Sequence, residues 1–72
     1  MSDDELLQRF PILAMFAFEH LPPKLQAISH PYCMLARTLA EQGVTSKHPA
    51  EAAAGMCKLL EAKDCAVRAS LG

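Results

Sequence analysis

The pattern of apolar and polar positions in the second half of the chain predicts two amphipathic helices. Each begins at a His-Pro pair, at residues 30–31 and 48–49, because a helix accepts proline in its first turn, where the N–H groups have no helical partner. We expect the first helix to end at Gly43 and the second to run from Pro49 to Ser70. The first helix has an apolar stripe at helical spacing, formed by Tyr32, Leu35, Ala36, Leu39 and Ala40.

Only residues 43–48 connect the two predicted helices, and so short a connection places them side by side in antiparallel order. The predicted fold class is therefore all-α. We expect residues 1–72 to form a single helical-hairpin domain, in which residues 29–72 are the hairpin and residues 1–28 are an N-terminal helix and arm.

The N-terminal part begins with a capping-box pattern, in which Ser2 is followed three residues later by Glu5. This pattern predicts a short helix through Arg9. The apolar run at 12–18 is too short for periodicity to decide between a strand-like arm and a helical turn. The Pro-Pro pair at 22–23 predicts a stiff extended connector.

The composition favours self-association. The chain has 72 residues, of which 51% are apolar but only 6% aromatic, so small and medium apolar side chains supply most of the buried surface. A chain of this length buries only about 60% of the surface that its unfolded form exposes. Because one hairpin cannot cover all this apolar surface, we expect a homo-oligomer.

The net charge and the cysteine content indicate which kinds of ligand and which cellular compartment the sequence favours. A net charge of -1 argues against binding to polymeric DNA or RNA, which requires clustered Lys and Arg. The same net charge is compatible with binding of a small anionic ligand. Three cysteines without paired spacing, and no secretory signal, favour a reducing cytosol. The longest apolar run, at 12–18, is too short to cross a membrane.

Two basic residues are candidate ligands for an anion. Lys63 falls between Leu59 and Leu60 on the helical wheel, inside the apolar sector, where an unpaired ammonium group is costly. It is either a snorkelling or interface-paired lysine, or a pocket lysine that binds an anion. Arg37 lies off the apolar stripe and is either solvated or placed for bidentate phosphate recognition.

Aromatic and histidine side chains cluster around the prolines at Phe16, Phe18, His20, His30 and Tyr32. A ring beside a basic group suits a nucleobase and its phosphate. The same phenylalanines also suit a core that is short of large residues, and His30 also suits a helix start. The spacing of histidines and cysteines does not predict a metal site, and the sequence predicts no cofactor and no catalytic motif, so we expect a binding protein and not an enzyme.

Three stretches carry a resemblance to a known family. They are FEHLPP at 18–23, Pro-Tyr at 31–32 leading into Leu-Ala at 35–36, and KLLEAKDCAVRA at 58–69. Together they resemble small bacteriophage proteins related to the anti-CBASS cyclic-oligonucleotide sponges, which have a helical-hairpin domain. The resemblance covers about residues 16–71.

The resemblance implies a homohexamer that sequesters cyclic dinucleotides and cyclic trinucleotides without cleaving them, in the cytoplasm of the infected bacterial host. It implies that Phe18 or Phe16 stacks on a base and that Arg37 contacts phosphate. Because a two-helix hairpin is too thin to surround a cyclic nucleotide, we expect a neighbouring copy to supply a second basic group, Lys63 or Arg68. His20 and Tyr32 complete the expected ligand-binding set. The family has an Ala-Asn run before its C-terminal arginine, whereas this chain has Ala-Val-Arg at 66–68, so a cyclic dinucleotide is the better-supported ligand.

A different class of protein also fits the pattern. The apolar face of a helical hairpin can bind a helix of a partner protein, and the chain would then be an adaptor. The two interpretations differ in whether a cyclic nucleotide binds.

The excess of apolar surface makes a first testable prediction. The protein should sediment as a stable oligomer, a hexamer or another even-numbered assembly, at micromolar concentration, because association covers the apolar helix faces that a single copy exposes. Sedimentation velocity measures this directly. A monomer would contradict the expected assembly.

Overall fold

The computed structural model describes residues 2–71 and consists of four helical segments. Helix α1 spans Asp3–Arg9, a 3₁₀ helix spans Pro11–Phe16, α2 spans Pro23–Val44 and α3 spans Pro49–Leu71. Helices hold 83% of the described residues, and none of these residues lies in a strand. The predicted all-α class is confirmed.

Helix α1 begins as its sequence predicts. The Ser2 hydroxyl accepts a hydrogen bond from the Glu5 backbone N–H at 3.3 Å, which satisfies one of the N–H groups that a helix start leaves without a partner. The helix ends where the Phe10 N–H donates to the Leu6 carbonyl at 2.8 Å. The segment that periodicity left undecided is the 3₁₀ helix, which begins at Pro11.

The predicted start of α2 is wrong. The helix begins at Pro23, with Pro22 as its N-cap residue, and Pro31 lies inside it. The Pro22 carbonyl accepts hydrogen bonds from the N–H groups of Leu25 and Gln26, both at 2.9 Å. The Pro-Pro pair thus starts the helix, since its fixed backbone angles suit a first turn. Residues 23–28, assigned from sequence to the N-terminal arm, belong to α2.

The predicted end of α2 is also displaced. Gly43 does not terminate the helix, which continues through Val44 to its C-cap residue Thr45. Among residues 2–71 no glycine has a positive φ angle, so the left-handed backbone expected of a terminating glycine is not used. The start of α3 at Pro49 is confirmed, and its end differs by one residue from the predicted Ser70.

Helices α2 and α3 lie side by side and run in opposite directions. The Lys24 ammonium group at the start of α2 donates to the Ser70 carbonyl at the end of α3, at 3.4 Å. At the opposite end, Gly43 of α2 approaches Ala52 of α3. Residues 45–48 connect the helices.

A seam of small side chains lies along the buried face of α2. We call it the small-residue seam, and it consists of Ser29, Ala36, Ala40 and Gly43. The spacing of seven, four and three residues keeps the seam on one side of the helix. Small side chains allow neighbouring helix backbones to approach closely. They also leave room for Leu6 of α1 and its C-cap residue Phe10, which pack with Ala40 and Met56 in the core.

The seam shifts the buried stripe from its predicted position. Ala36 and Ala40 are buried as expected and Tyr32 and Leu39 are half-buried, but Leu35 points outward and is 48% exposed. The centre of the interface therefore follows the smallest residues and not the largest apolar ones. On α3, Met56 is fully buried and Leu71 is 69% exposed.

The two glycines within the helices make a paired prediction. A Cβ at Gly43 would lie 2.8 Å from Phe10 Cζ and 3.0 Å from Ala52 Cβ, whereas a Cβ at Gly55 would meet no atom within 4 Å. We expect Gly43→Ala to lower the free energy of unfolding by about 1–2 kcal/mol through overpacking. Gly55→Ala should raise it by about 1 kcal/mol, because alanine favours the helix.

Urea denaturation at one fixed protein concentration measures the free energy of unfolding of both glycine variants and of the parent protein. We expect the free energy of unfolding to fall in Gly43→Ala and to rise in Gly55→Ala. Stabilisation by both substitutions would show that Phe10 and Ala52 do not enclose Gly43 as the structure has it.

Candidate ligand-binding site

The rings of Phe18 and His30 form the centre of the candidate site. Their centroids are 4.8 Å apart and their planes are inclined by 57°, a tilted contact typical of aromatic pairs. Phe18 is half-buried and belongs to the segment between the 3₁₀ helix and α2, residues 17–22, which we call the connector. His30 lies on α2 and is exposed. The pair thus joins the connector to the helix and keeps an accessible aromatic surface.

A shallow depression of about 330 Å³ adjoins this pair. Its lining consists of Phe18, Pro23, Gln26, Ala27 and His30. We call it the α2 depression. Its volume is at the lower end of the range of about 300–1,000 Å³ found for small-molecule sites, which suits one planar group better than a whole cyclic dinucleotide.

The Gln26 side chain holds the connector in place. Its amide nitrogen donates to the Leu21 carbonyl at 2.7 Å and to the Glu19 carbonyl at 3.2 Å. The Leu21 N–H in turn donates to the Phe18 carbonyl at 3.0 Å. These bonds satisfy carbonyl groups of a segment without helical hydrogen bonds and fix the backbone that carries the Phe18 ring.

Arg37 lies on the same side of α2 as the depression. It follows His30 by seven residues, which places the two about 20° apart around the helix and about 10 Å apart along it. Arg37 is half-buried and, with Cys33, lines a second pocket of about 120 Å³ against α1 and the 3₁₀ helix. One face of α2 therefore carries His30 and Arg37 two turns apart, and the two residues line separate pockets.

Lys63 is not part of this site. The residue is only 8% exposed, and its ammonium group donates to the Met15 carbonyl at 2.7 Å and lies 5.7 Å from the centroid of the Phe16 ring. The prediction that it binds a ligand phosphate is corrected. Lys63 is a structural lysine, paired with a backbone carbonyl of its own chain, and it attaches the 3₁₀ helix to α3.

Two further residues of the predicted set lie away from the depression. Phe16 is fully buried, so it has no accessible ring face on which a base can stack, and that assignment is wrong. Tyr32 is half-buried about 140° around α2 from Arg37, on the other side of the small-residue seam.

The other two predicted residues are at the surface. His20 is exposed in the turn between the 3₁₀ helix and α2, next to the connector but outside the lining of the depression. Arg68 is exposed on α3, where its guanidinium group donates to Cys65 Sγ at 3.3 Å. Within one chain Phe18 and Arg37 line two separate pockets beside α2, and Arg68 lies on α3.

The structure adds residues that sequence reasoning did not assign to the site. His30 was equally explained as a helix-start residue, and Pro23, Gln26 and Ala27 belong to no ligand-binding motif. The signal for them was the Pro-Pro pair, because a helix that starts at Pro23 places residues 23, 26, 27 and 30 on one face.

Residues 2–71 were searched for metal-ligand groups and for membrane-spanning helices. Within that range no three His, Cys, Asp or Glu residues are grouped so that they can hold a metal ion. No helix there is both long enough and apolar enough to cross a membrane.

Comparison of the chain with protein-family models, with curated proteins and with solved structures found no match.

The position of Lys63 makes a stability prediction. Lys63→Ala should lower the free energy of unfolding by at least about 1.5 kcal/mol, because it removes a hydrogen bond from a charged donor and leaves the Met15 carbonyl without that partner. Thermal or urea unfolding followed by circular dichroism measures the change. Lys58→Ala is the matched control, since Lys58 is exposed on the same helix, and it should change stability by less than about 0.5 kcal/mol. Equal effects of the two substitutions would contradict a structural role for Lys63.

Proposed function

We propose that the protein binds and sequesters cyclic oligonucleotide second messengers, chiefly cyclic dinucleotides, without cleaving them. Acting in the cytoplasm of an infected bacterial host, such a sponge of phage origin would lower the free concentration of the messenger and so block CBASS-type immunity. The observation that supports the proposal is the face of α2 on which His30, whose ring contacts Phe18, and Arg37 lie about two helical turns apart.

This arrangement suits the chemistry of a cyclic dinucleotide. An aromatic ring offers a stacking surface for a base, worth about 1–3 kcal/mol. A guanidinium group has five N–H donors, so Arg37 can bind a phosphate and still keep a contact within the protein. The near-neutral chain, with a net charge of -1, matches a small anionic ligand better than a long polyanion.

The proposal includes a homo-oligomer, of which a hexamer is the expected form. The α2 depression is too small and too open to surround a whole cyclic dinucleotide, so a neighbouring copy is needed to complete the pocket. Large apolar side chains are available for such contacts, among them Met34, which is 49% exposed, and Leu35 beside it. Arg68 of the neighbouring copy is the second basic group that we propose for the phosphates.

The same exposed side chains favour the alternative function. Consecutive exposed apolar residues on α2, Met34 and Leu35, can bind an apolar helix of a partner protein. In that case the two helices form an adaptor and the α2 depression has no nucleotide ligand.

Calorimetric titration with a panel of cyclic dinucleotides and cyclic trinucleotides tests the proposed function. We expect at least one cyclic dinucleotide to bind and to be recovered intact after release from the protein. Recovery of linear products would show an enzyme, and no heat of binding across the panel would favour the adaptor.

Substitutions locate the binding site. Phe18→Ala and Arg37→Ala should each weaken binding about ten-fold or more, because each removes an interaction worth about 1.5 kcal/mol or more. Arg9→Ala removes an exposed arginine at the end of α1 and should leave the affinity unchanged. Unfolding midpoints of all three variants, measured in parallel, separate a lost contact from a lost fold. Parent-like affinity of both site variants would place the ligand elsewhere.

A further inference from the structure

A row of exposed side chains runs along α2 on the side opposite the small-residue seam. We call it the outer stripe, and it consists of Lys24, Ala27, Pro31, Met34, Thr38 and Glu41, all of them exposed. Its positions are alternately three and four residues apart, the spacing that keeps the contacts between two packed helices on one face. At about 100° per residue, the stripe lies about 180° around α2 from the seam. The other segments within residues 2–71 therefore leave this face of α2 uncovered.

The middle of the outer stripe is uncharged and can be covered at low cost. Met34 is 49% exposed, and Leu35 beside it is 48% exposed. The Thr38 hydroxyl donates to the Met34 carbonyl at 3.2 Å, so its hydrogen is already used within α2. Since covering these residues leaves few polar groups without partners, the loss of water is favourable here.

The two ends of the outer stripe carry opposite charges, and each charge opposes the dipole of its own helix. Lys24 lies in the first turn of α2, where the helix dipole is positive, and Glu41 lies in the last turn, where it is negative. Lys24 donates to the Ser70 carbonyl, which leaves two hydrogens of its ammonium group for another acceptor. Among residues 2–71 the Glu41 carboxylate forms no hydrogen bond or ion pair. A surface that carries the same two charges in reverse order is therefore complementary to the stripe.

We propose that the outer stripe is the surface on which two copies of the chain pair, with their α2 helices antiparallel across a two-fold axis. The spacing of the stripe reads the same in both directions. Reversing one copy therefore places Lys24 opposite Glu41 of the second copy, Ala27 opposite Thr38 and Pro31 opposite Met34. Each pair of copies gains two ion pairs, and the two helix dipoles lie side by side in opposite directions. A parallel pairing would place each charge opposite the same charge.

The pairing also places the second copy beside the candidate site. Ala27 belongs both to the outer stripe and to the lining of the α2 depression, so α2 of the second copy adds a wall at that edge. The inference rests on the self-association that the proposed function includes. It names the surface responsible and does not depend on a nucleotide ligand.

Two charge reversals test the pairing. Lys24→Glu places two carboxylates opposite each other at both ends of the pair, and Glu41→Lys places two ammonium groups there. Sedimentation equilibrium should show self-association of each variant weakened about ten-fold, because two attractive contacts become repulsive. High salt should reduce this difference. Neither variant should lose helical content by circular dichroism, since each new charge suits the dipole of α2.

An equimolar mixture of the two variants is the decisive sample. In a mixed pair each glutamate again lies opposite a lysine, so the mixture should associate as tightly as the parent. Lys58→Glu and Glu61→Lys are the matched controls, because they make the same charge changes at exposed positions of α3. Both controls should associate like the parent.

The outcomes separate this inference from the function on which it rests. Parent-like association of the single variants, a mixture no tighter than its components, or equal weakening in the α3 controls would overturn the antiparallel pairing. A nucleotide-binding oligomer with another interface would still be compatible with each of these results. A parent protein that stays monomeric would overturn the pairing together with the proposed oligomer.

Discussion

The close approach of α2 and α3 is the constraint on which the rest of the molecule depends. It is possible because α2 presents its smallest side chains to the interior, down to a glycine at position 43 that Phe10 and Ala52 enclose. Because these α2 side chains are small, the large buried side chains come from the other segments and are Leu6, Phe10, Phe16 and Met56. The large apolar residues that sequence patterns place inside, such as Leu35, are then displaced towards the surface.

The N-terminal segment completes this core at two points. Leu6 and Phe10 pack against Ala40 and Met56 near one end of the helix pair. Further along, the ammonium group of Lys63 donates to the Met15 carbonyl and holds the 3₁₀ helix against α3. A buried charge is tolerated there because it has a close polar partner and an aromatic face nearby. The connector that follows, which carries Phe18, starts from a fixed position as a result.

The candidate site forms where this connector meets α2. Gln26 ties the connector to the helix through two carbonyl groups, and the Phe18 ring lies against His30. The two prolines of the region have different consequences. Pro23 begins the helix, whereas Pro31 is retained inside it, at a cost in helix stability.

Local signals in the sequence were sufficient for the all-α class, the capped start of α1 and the start of α3 at Pro49. Each depends on a few neighbouring residues, as a cap, a proline or a helical period does. The path of α2 through Pro31, the burial of Phe16 and the role of Lys63 were decided by tertiary structure. A proline is read as a helix start unless packing along the whole helix outweighs its cost, and whether a lysine binds a ligand or a backbone carbonyl depends on a partner 48 residues away.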